Sequence, residues 1–180
     1  MKFKLVLLLL IAPLALTFGQ MKRYEAVKPD SYIKYKITHP LHEFEATSKQ
    51  VYCAVDADAG SKQIKDVLVQ VPVSSFDSGN SNRDSHAMEV VEELMYPDAR
   101  FISSSITQKG DSLEVQGNLT FHGETKEITF PAFASWANNK LTVSGNFNVS
   151  LTEFKIKRPS LLLIPINDTI QFWFSQVFNI

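Results

Sequence analysis

The chain has 180 residues, of which 44% are hydrophobic and 21% charged, and its formal net charge is −1. A chain of this length can bury a core of its own, so we expect one domain. The near balance of 18 basic and 19 acidic side chains argues against nucleic-acid binding, which requires a concentrated basic face. The single cysteine, Cys53, excludes an intramolecular disulfide.

The first nineteen residues have the layout of a secretory signal peptide. Two lysines precede an uninterrupted apolar run over residues 5–12, and the small residue Gly19 follows. The run is far shorter than the ~20 residues with which a helix crosses a bilayer, so a membrane anchor is the weaker alternative. We therefore expect a cleaved signal peptide over residues 1–19, a periplasmic or secreted location, and one mature domain over residues 20–180 with a net charge of −3.

Beyond a polar segment at residues 21–29, which predicts a loose lead-in, period-two alternation of apolar and polar residues predicts half-buried strands. The short links between these strands, rich in glycine and asparagine, favour antiparallel neighbours. We expect nine strands, over residues 31–38, 41–47, 50–56, 63–74, 100–107, 112–121, 126–136, 140–151 and 168–178.

One segment, residues 82–96, has helical rather than strand periodicity. Its apolar residues follow the i, i+3, i+4, i+7 spacing of an amphipathic helix. Asn82 is the expected N-cap, and Pro97 is expected to end the helix. One helix among eight or nine strands favours an antiparallel barrel, because closure of the sheet removes exposed edges.

The strand faces that we expect to point inwards are apolar and rich in aromatic residues, with Gly117 and Gly145 near the middle of two strands. Two interpretations stay open. The barrel is either filled by its own side chains, with the glycines letting the strands coil, or hollow, because small residues leave room for one small ligand. If a ligand site exists, we expect its lining to include Phe101, Leu119, Phe121, Trp136, Phe147, Phe172 and Phe174.

Arg83 and Asp84 stand together at the start of the predicted helix. Adjacent residues on a helix do not face each other, so these two are not expected to pair with one another. Arg83 contacts either a carboxylate elsewhere in the protein or the polar head of a ligand, because arginine serves both purposes with the same geometry. We include Arg83 among the expected ligand-binding residues.

The histidines leave a metal-dependent enzyme as a further alternative. His39 and His42, together with His86 or His122, would have to supply the ligands. Two residues three apart on a strand point to opposite faces, and zinc needs several ligands close together, so a structural role at a strand corner is favoured. Cys53 lies in an alternating strand, which favours a buried inert thiol over a nucleophile.

Three segments carry a resemblance to a known family: VPVSSFDSGNSNRDSHAMEVVEELMYPDARFISSSI (71–106), VQGNLTFHGETKEITF (115–130) and SLTEFKIKRPSLL (150–162). Together they resemble the YceI-like family of bacterial, mostly periplasmic proteins. The resemblance implies an all-β fold, an extended eight-stranded antiparallel lipocalin-like barrel with one inserted helix, around an elongated apolar channel for an isoprenoid or similar lipid. Residues 38–53 depart from the family's usual pattern, which leaves the ligand open.

From the residues and the resemblance together, we expect a periplasmic carrier or scavenger that binds an isoprenoid or other lipid chain inside its barrel. We expect no catalytic residues, no metal, no cofactor, no nucleic-acid partner and no stable membrane insertion, and we leave a homodimer open. The alternative is an envelope interaction or structural protein whose barrel is packed solid and holds no small ligand.

Overall fold

The computed structural model describes residues 20–161 and 163–180, and the expected signal peptide lies outside these residues. Within them, twelve strands and one α-helix are formed. The elements are β1 (Lys22–Glu25), β2 (Tyr32–His39), β3 (His42–Ser48), β4 (Tyr52–Asp58), β5 (Gln63–Pro72), α1 (Ser81–Val90), β6 (Asp98–Lys109), β7 (Ser112–Phe121), β8 (Glu124–Ala137), β9 (Lys140–Ser150), β10 (Ser160–Leu161), β11 (Ile164–Pro165) and β12 (Thr169–Asn179).

Ten of the strands form one antiparallel sheet in the order β1-β4-β5-β6-β7-β8-β9-β12-β2-β3. The sheet curls until its two flanks approach each other. Ala26, just after β1, bridges Phe178 of β12, and the Val27 N–H donates to the Val177 carbonyl over 2.7 Å. This curled half-barrel with one inserted helix confirms the predicted all-β, lipocalin-like class, although the sheet has ten strands where the resemblance implied eight.

The prediction of a loose lead-in at residues 21–29 was wrong, because this segment contains β1, paired with β4. Arg23 lies directly opposite Asp56 and donates two hydrogen bonds of 3.0 Å to its carboxylate. Strand β1 adds to the flank of the sheet through its backbone and keeps polar side chains outside. Hydrophobic alternation therefore gave no sign of it.

Helix α1 and its N-cap lie two residues earlier than expected. Its N-cap is Asn80, whose side-chain oxygen accepts a hydrogen bond of 3.1 Å from the Arg83 N–H, so the prediction of Asn82 as the cap was wrong. An asparagine at either position satisfies the sequence rule for a cap. Only the extended backbone of Asn80, with φ −142° and ψ 105°, decides between them.

The helix also ends well before Pro97, at Val90. Glu92 has a left-handed φ of +49°, and the Glu93 N–H donates to the Met88 carbonyl over 3.0 Å. The Glu92 N–H donates to the Glu89 carbonyl over 3.1 Å, which completes a Schellman termination. Glu92 occupies the position that is usually glycine in this motif, so the sequence gives no signal that the helix ends here.

Between β9 and β12 the chain makes an excursion that the sequence analysis did not predict. The segment carries the short hairpin β10–β11, and its base is anchored by Phe154 and Ile156, both almost completely buried. Asp168 fixes the return of the chain by accepting hydrogen bonds from the Ser150 hydroxyl and the Thr152 N–H. This network lowers the pKa of the Asp168 carboxyl, first through the Ser150 hydrogen bond.

The two central glycines are sites of close packing, and neither leaves empty space. A Cβ atom at Gly117 would lie 2.5 Å from the Phe101 ring and would also meet the Ile102 carbonyl oxygen. A Cβ atom at Gly145 would lie 2.7 Å from the Pro131 carbonyl and 2.8 Å from the Phe174 ring. The interpretation in which these glycines create the internal space was therefore wrong.

We predict that Gly117→Ala lowers the free energy of unfolding by ~1–3 kcal/mol, because the added methyl group overlaps the backbone of β6. The measurement is urea unfolding followed by fluorescence. Gly60→Ala is the control, since a Cβ atom there meets only a side-chain oxygen at 3.3 Å, and it should change stability by less than ~0.5 kcal/mol. Equal stabilities of Gly117→Ala and the unsubstituted protein would contradict the packing described.

Candidate functional site

The barrel encloses a cavity of about 600 Å³. This volume lies within the ~300–1,000 Å³ that small-molecule sites occupy. Side chains from β2 to β9, from β10, from β12 and from α1 line it. The interior is therefore hollow, as one of the two interpretations held, although Gly117 and Gly145 are not what creates the space.

Aromatic rings form one wall of the cavity. The Phe147 and Phe172 rings are stacked, with centroids 5.1 Å apart and an interplanar angle of 8°. Phe130 lies 5.2 Å from Phe147 and 5.4 Å from Phe101, again between ring centroids. These residues come from four different strands, so the wall is assembled only when the sheet curls.

Seven of the eight expected site residues line the cavity: Phe101, Leu119, Phe121, Phe147, Phe172, Phe174 and Arg83. Trp136 does not line it. It lies near the end of β8, opposite the fully buried Leu141, and its indole N–H has no hydrogen-bond partner within the described residues.

Several further residues line the cavity in addition to those expected from the sequence. Val67, Val69 and Val71 of β5 line the cavity, as do Ala87 and Met88 of α1. The valines share one face of an alternating strand, a signal that was available but was not used for the site. The contribution of α1 required the tertiary structure, because nothing in the local pattern shows which surface a helix covers.

The cavity meets solvent between α1, the β2–β3 turn and the β10–β11 hairpin, and we call this region the mouth. The exposed lining residues in this region are Asn80, Asn82, His86, His42 and Ser160. The opposite end is closed by Leu141 and Phe178, which pair across β9 and β12 and are both 0% exposed. The site is therefore a long apolar pocket with a polar entrance.

Arg83 is held in place at the mouth by Ser78 and Phe44. Its Nε donates to the Ser78 hydroxyl over 2.8 Å, its Nη2 donates to the Ser78 carbonyl over 2.7 Å, and its guanidinium carbon lies 4.9 Å from the Phe44 ring centroid. Asp84 accepts hydrogen bonds from the same serine and not from Arg83. Arg83 thus has structural contacts and also lines the cavity.

Tyr35 brings a phenol into the wall below α1. Its ring lies 5.1 Å from that of Phe76 and 6.0 Å from that of Phe172, measured between centroids. Burial, with a smaller contribution from the nearby Asp84 carboxylate, raises the pKa of Tyr35 to about 12. The phenol therefore stays neutral at physiological pH and adds no charge to the cavity.

His39 ties the β2–β3 turn to the hairpin at the mouth. It is buried, its Nδ1 accepts from the Leu41 N–H over 3.1 Å, and its Nε2 lies 3.0 Å from the Ile164 carbonyl. Because Nδ1 is the acceptor, Nε2 carries the proton and donates to Ile164. The exposed His42 ring packs beside it, with centroids 5.1 Å apart.

The other two histidines have separate local contacts. His122 shares a hydrogen bond of 2.9 Å between its Nδ1 and the Phe154 carbonyl, and its Nε2 lies 3.3 Å from Glu92. The Nδ1 of His86, at the mouth, lies 3.7 Å from a carboxylate oxygen of Glu89. Across residues 20–161 and 163–180, no three His, Cys, Asp or Glu side chains are grouped so that they could hold a metal ion.

Cys53 lines the deep part of the cavity and is only 2% exposed. Burial raises the pKa of its thiol to about 12. The nucleophilic form of cysteine is the thiolate, which this environment strongly disfavours.

None of the helices in the described ranges is long and apolar enough to cross a membrane.

The fold and the site together define a lipocalin-like barrel with an internal apolar cavity. The profile of the YceI-like domain family matches residues 24–178, so the chain belongs to this family. A UPF0312 protein from Pseudomonas putida strain F1 is 28% identical over 139 residues, which cover 72% of each chain. A UPF0312 protein from Pseudomonas fluorescens strain SBW25 matches with the same identity and coverage.

Solved structures share the fold at low sequence identity. BcnA from Burkholderia cenocepacia is 21% identical with a TM-score of 0.76, and the match covers 84% of this chain and 98% of that one. A polyisoprenoid binding domain from Saccharophagus degradans is 10% identical with a TM-score of 0.67, covering 89% and 99%. The YCEI protein of Campylobacter jejuni is 19% identical with a TM-score of 0.63, covering 99% and 91%.

We predict that Cys53 in the folded protein reacts with iodoacetamide at pH 8 at least ~100-fold more slowly than in urea, because burial raises its pKa and keeps the thiol neutral. The rate is followed by intact-protein mass spectrometry. A Cys53→Ser, Ser85→Cys double variant is the control, because Ser85 is exposed on α1 and should label quickly in both conditions. Fast labelling of native Cys53 would contradict its burial.

Proposed function

We propose that this protein binds an elongated apolar molecule, an isoprenoid or another lipid chain, inside its barrel and acts as a periplasmic carrier or scavenger. The observation that carries the proposal is the apolar pocket of about 600 Å³, which is closed at its deep end and open at the mouth. The charged lining residues Arg83, Asp84 and Arg100 are half-buried or exposed, and the fully buried part of the lining contains no Asp, Glu, Lys or Arg. The ligand portion that the buried walls enclose therefore has to be uncharged. Belonging to the YceI-like family supports the same assignment.

Burial of hydrocarbon is sufficient for useful affinity in such a pocket. Each CH₂ group removed from water contributes roughly 0.8 kcal/mol, so ten groups contribute about 8 kcal/mol before the entropy of association is subtracted. A ligand of somewhat greater length reaches about micromolar affinity without an ion pair. The affinity should therefore depend first on chain length and shape.

The proposed ligand contacts are the lining residues Phe101, Leu119, Phe121, Phe147, Phe172 and Phe174, with Arg83 at the mouth. Trp136 is left out of this set because it does not line the cavity. The solved domain from Saccharophagus degradans is described as polyisoprenoid-binding, and its shared fold supports a lipid-like ligand here. The contacts and the ligand class both belong to the proposal.

The proposed location rests on residues 1–19, which have the composition of a cleaved signal peptide. The proposed role is binding without catalysis. Cys53 is kept neutral by burial, and His39 uses both ring nitrogens in hydrogen bonds, so neither is poised as a nucleophile or a base.

The direct test is native mass spectrometry of protein purified, without organic solvent, from the periplasmic fraction of the cells that naturally produce it. The expected result is added mass that is released on denaturation and identified as a lipid by extraction. A homogeneous polypeptide mass, combined with no binding of a fluorescent fatty-acid probe, would overturn the proposal in favour of an envelope protein without a small ligand.

We predict that Val69→Phe weakens binding of the fluorescent probe at least ~10-fold, because the larger ring occupies cavity volume beside the aromatic wall. The measurement is a fluorescence titration, with thermal unfolding to confirm that the variant folds. Leu68→Phe is the matched control, since Leu68 is the neighbouring residue of β5 on the opposite face and does not line the cavity. Unchanged affinity in a folded Val69→Phe variant would place the probe elsewhere.

A further inference from the structure

One polar side chain stands deep inside the apolar pocket. Gln176 occupies an inward position of β12, between Phe174 and Phe178 on the same face, and is 3% exposed. It lines the cavity and lies opposite Val143 of β9. A glutamine in this setting costs stability unless its amide is hydrogen-bonded, so its partners need an explanation.

The Tyr32 carbonyl identifies which end of the Gln176 amide carries the nitrogen. The Gln176 Nε2 donates to the Tyr32 carbonyl oxygen over 2.9 Å. A carbonyl oxygen accepts and never donates, so the amide nitrogen must face Tyr32. The amide oxygen is therefore the other group, and it is buried with no hydrogen-bond donor within the described residues.

A bound water is a poor solution for this oxygen. A buried water needs two to four polar partners, whereas Gln176 is flanked by Phe174, Phe178 and Val143. The terminal torsion of a glutamine is broad, so a small rotation presents the oxygen to an occupant of the cavity. The ligand itself is then the source of the missing donor.

Gln176 lies far from the mouth of the cavity. Ile170 marks the start of β12 beside the mouth, and six residues of strand separate it from Gln176, which corresponds to ~20 Å. Beyond Gln176 the pocket is closed by Leu141 and Phe178. A chain that fills the pocket brings its leading end to the amide oxygen.

We propose that Gln176 is a specificity-determining residue, and that the ligand enters with a hydrogen-bond donor, a chain-terminal hydroxyl, at its inner end. The hydroxyl donates to the Gln176 amide oxygen, and the hydrocarbon fills the aromatic part of the cavity. This inference rests on the proposed function. It selects long-chain or isoprenoid alcohols over hydrocarbons, ethers and esters of the same chain.

The experiment compares geranylgeraniol with its methyl ether, which has the same chain but no donor. Both compete for the site against the fluorescent fatty-acid probe, in the full mature chain. The protein should bind the alcohol about tenfold more tightly than the ether, the effect of one hydrogen bond to an otherwise unsatisfied buried acceptor. In Gln176→Leu the preference should vanish or reverse, because the hydroxyl then loses its partner.

Gln171→Leu is the matched control, because Gln171 lies on the same strand with its side chain exposed, and it should keep the tenfold preference. Gln176→Met provides the same comparison if Gln176→Leu does not fold. Equal affinities for alcohol and ether in the unsubstituted protein would overturn the inference, as would a preference that survives in Gln176→Leu. An ether excluded only by its size would bind poorly to Gln176→Leu as well, which also counts against the inference.

Failure of the proposed function gives a different result. If the cavity holds no lipid, the probe, the alcohol and the ether all fail to bind to every variant. If the cavity holds lipid but Gln176 plays no part, the probe binds and the alcohol and ether compete equally. The two outcomes separate the existence of the site from its selectivity.

Discussion

The constraint on which the structure depends is the curl of one antiparallel sheet around side chains too few to fill it. Inward positions on nine of the ten strands carry apolar residues that line the cavity, and these can be buried only if the sheet closes on itself. The rings of Phe101 and Phe174 fold over Gly117 and Gly145, so the densest packing lies against the walls. The centre stays open and forms the cavity of about 600 Å³.

The entrance and the interior have opposite chemistry. At the mouth, Arg83, Asp84 and Ser78 satisfy one another, and His39 links the β2–β3 turn to the β10–β11 hairpin. These contacts hold α1 and the hairpin over the opening without placing a charge inside. Deeper in the pocket, Tyr35 and Cys53 are kept neutral by burial. Gln176 is a polar exception inside, and its amide oxygen has no hydrogen-bond donor among the described residues.

Prediction from sequence succeeded where the order of apolar and polar residues follows directly from which side chains are buried. Period-two alternation placed nine strands of the sheet to within a few residues of their ends, because burial of one face of a strand demands that pattern. Prediction failed where backbone hydrogen bonds or backbone torsion angles, and not the pattern of side chains, determine a strand or a helix end. Strand β1 joins the sheet through hydrogen bonds and carries polar side chains, and α1 ends at a left-handed glutamate where glycine would be the usual signal.

The sequence by itself determined the all-β class, the inserted helix and seven of the eight residues expected to line an internal site, because alternation assigns side chains to faces. Only the tertiary structure decided that the interior is hollow, that Trp136 lies outside the cavity and that the glycines mark close contacts. Volume and accessibility depend on how far strands distant in sequence curl towards each other. No local pattern of residues specifies that distance, and it emerges only when all ten strands are paired.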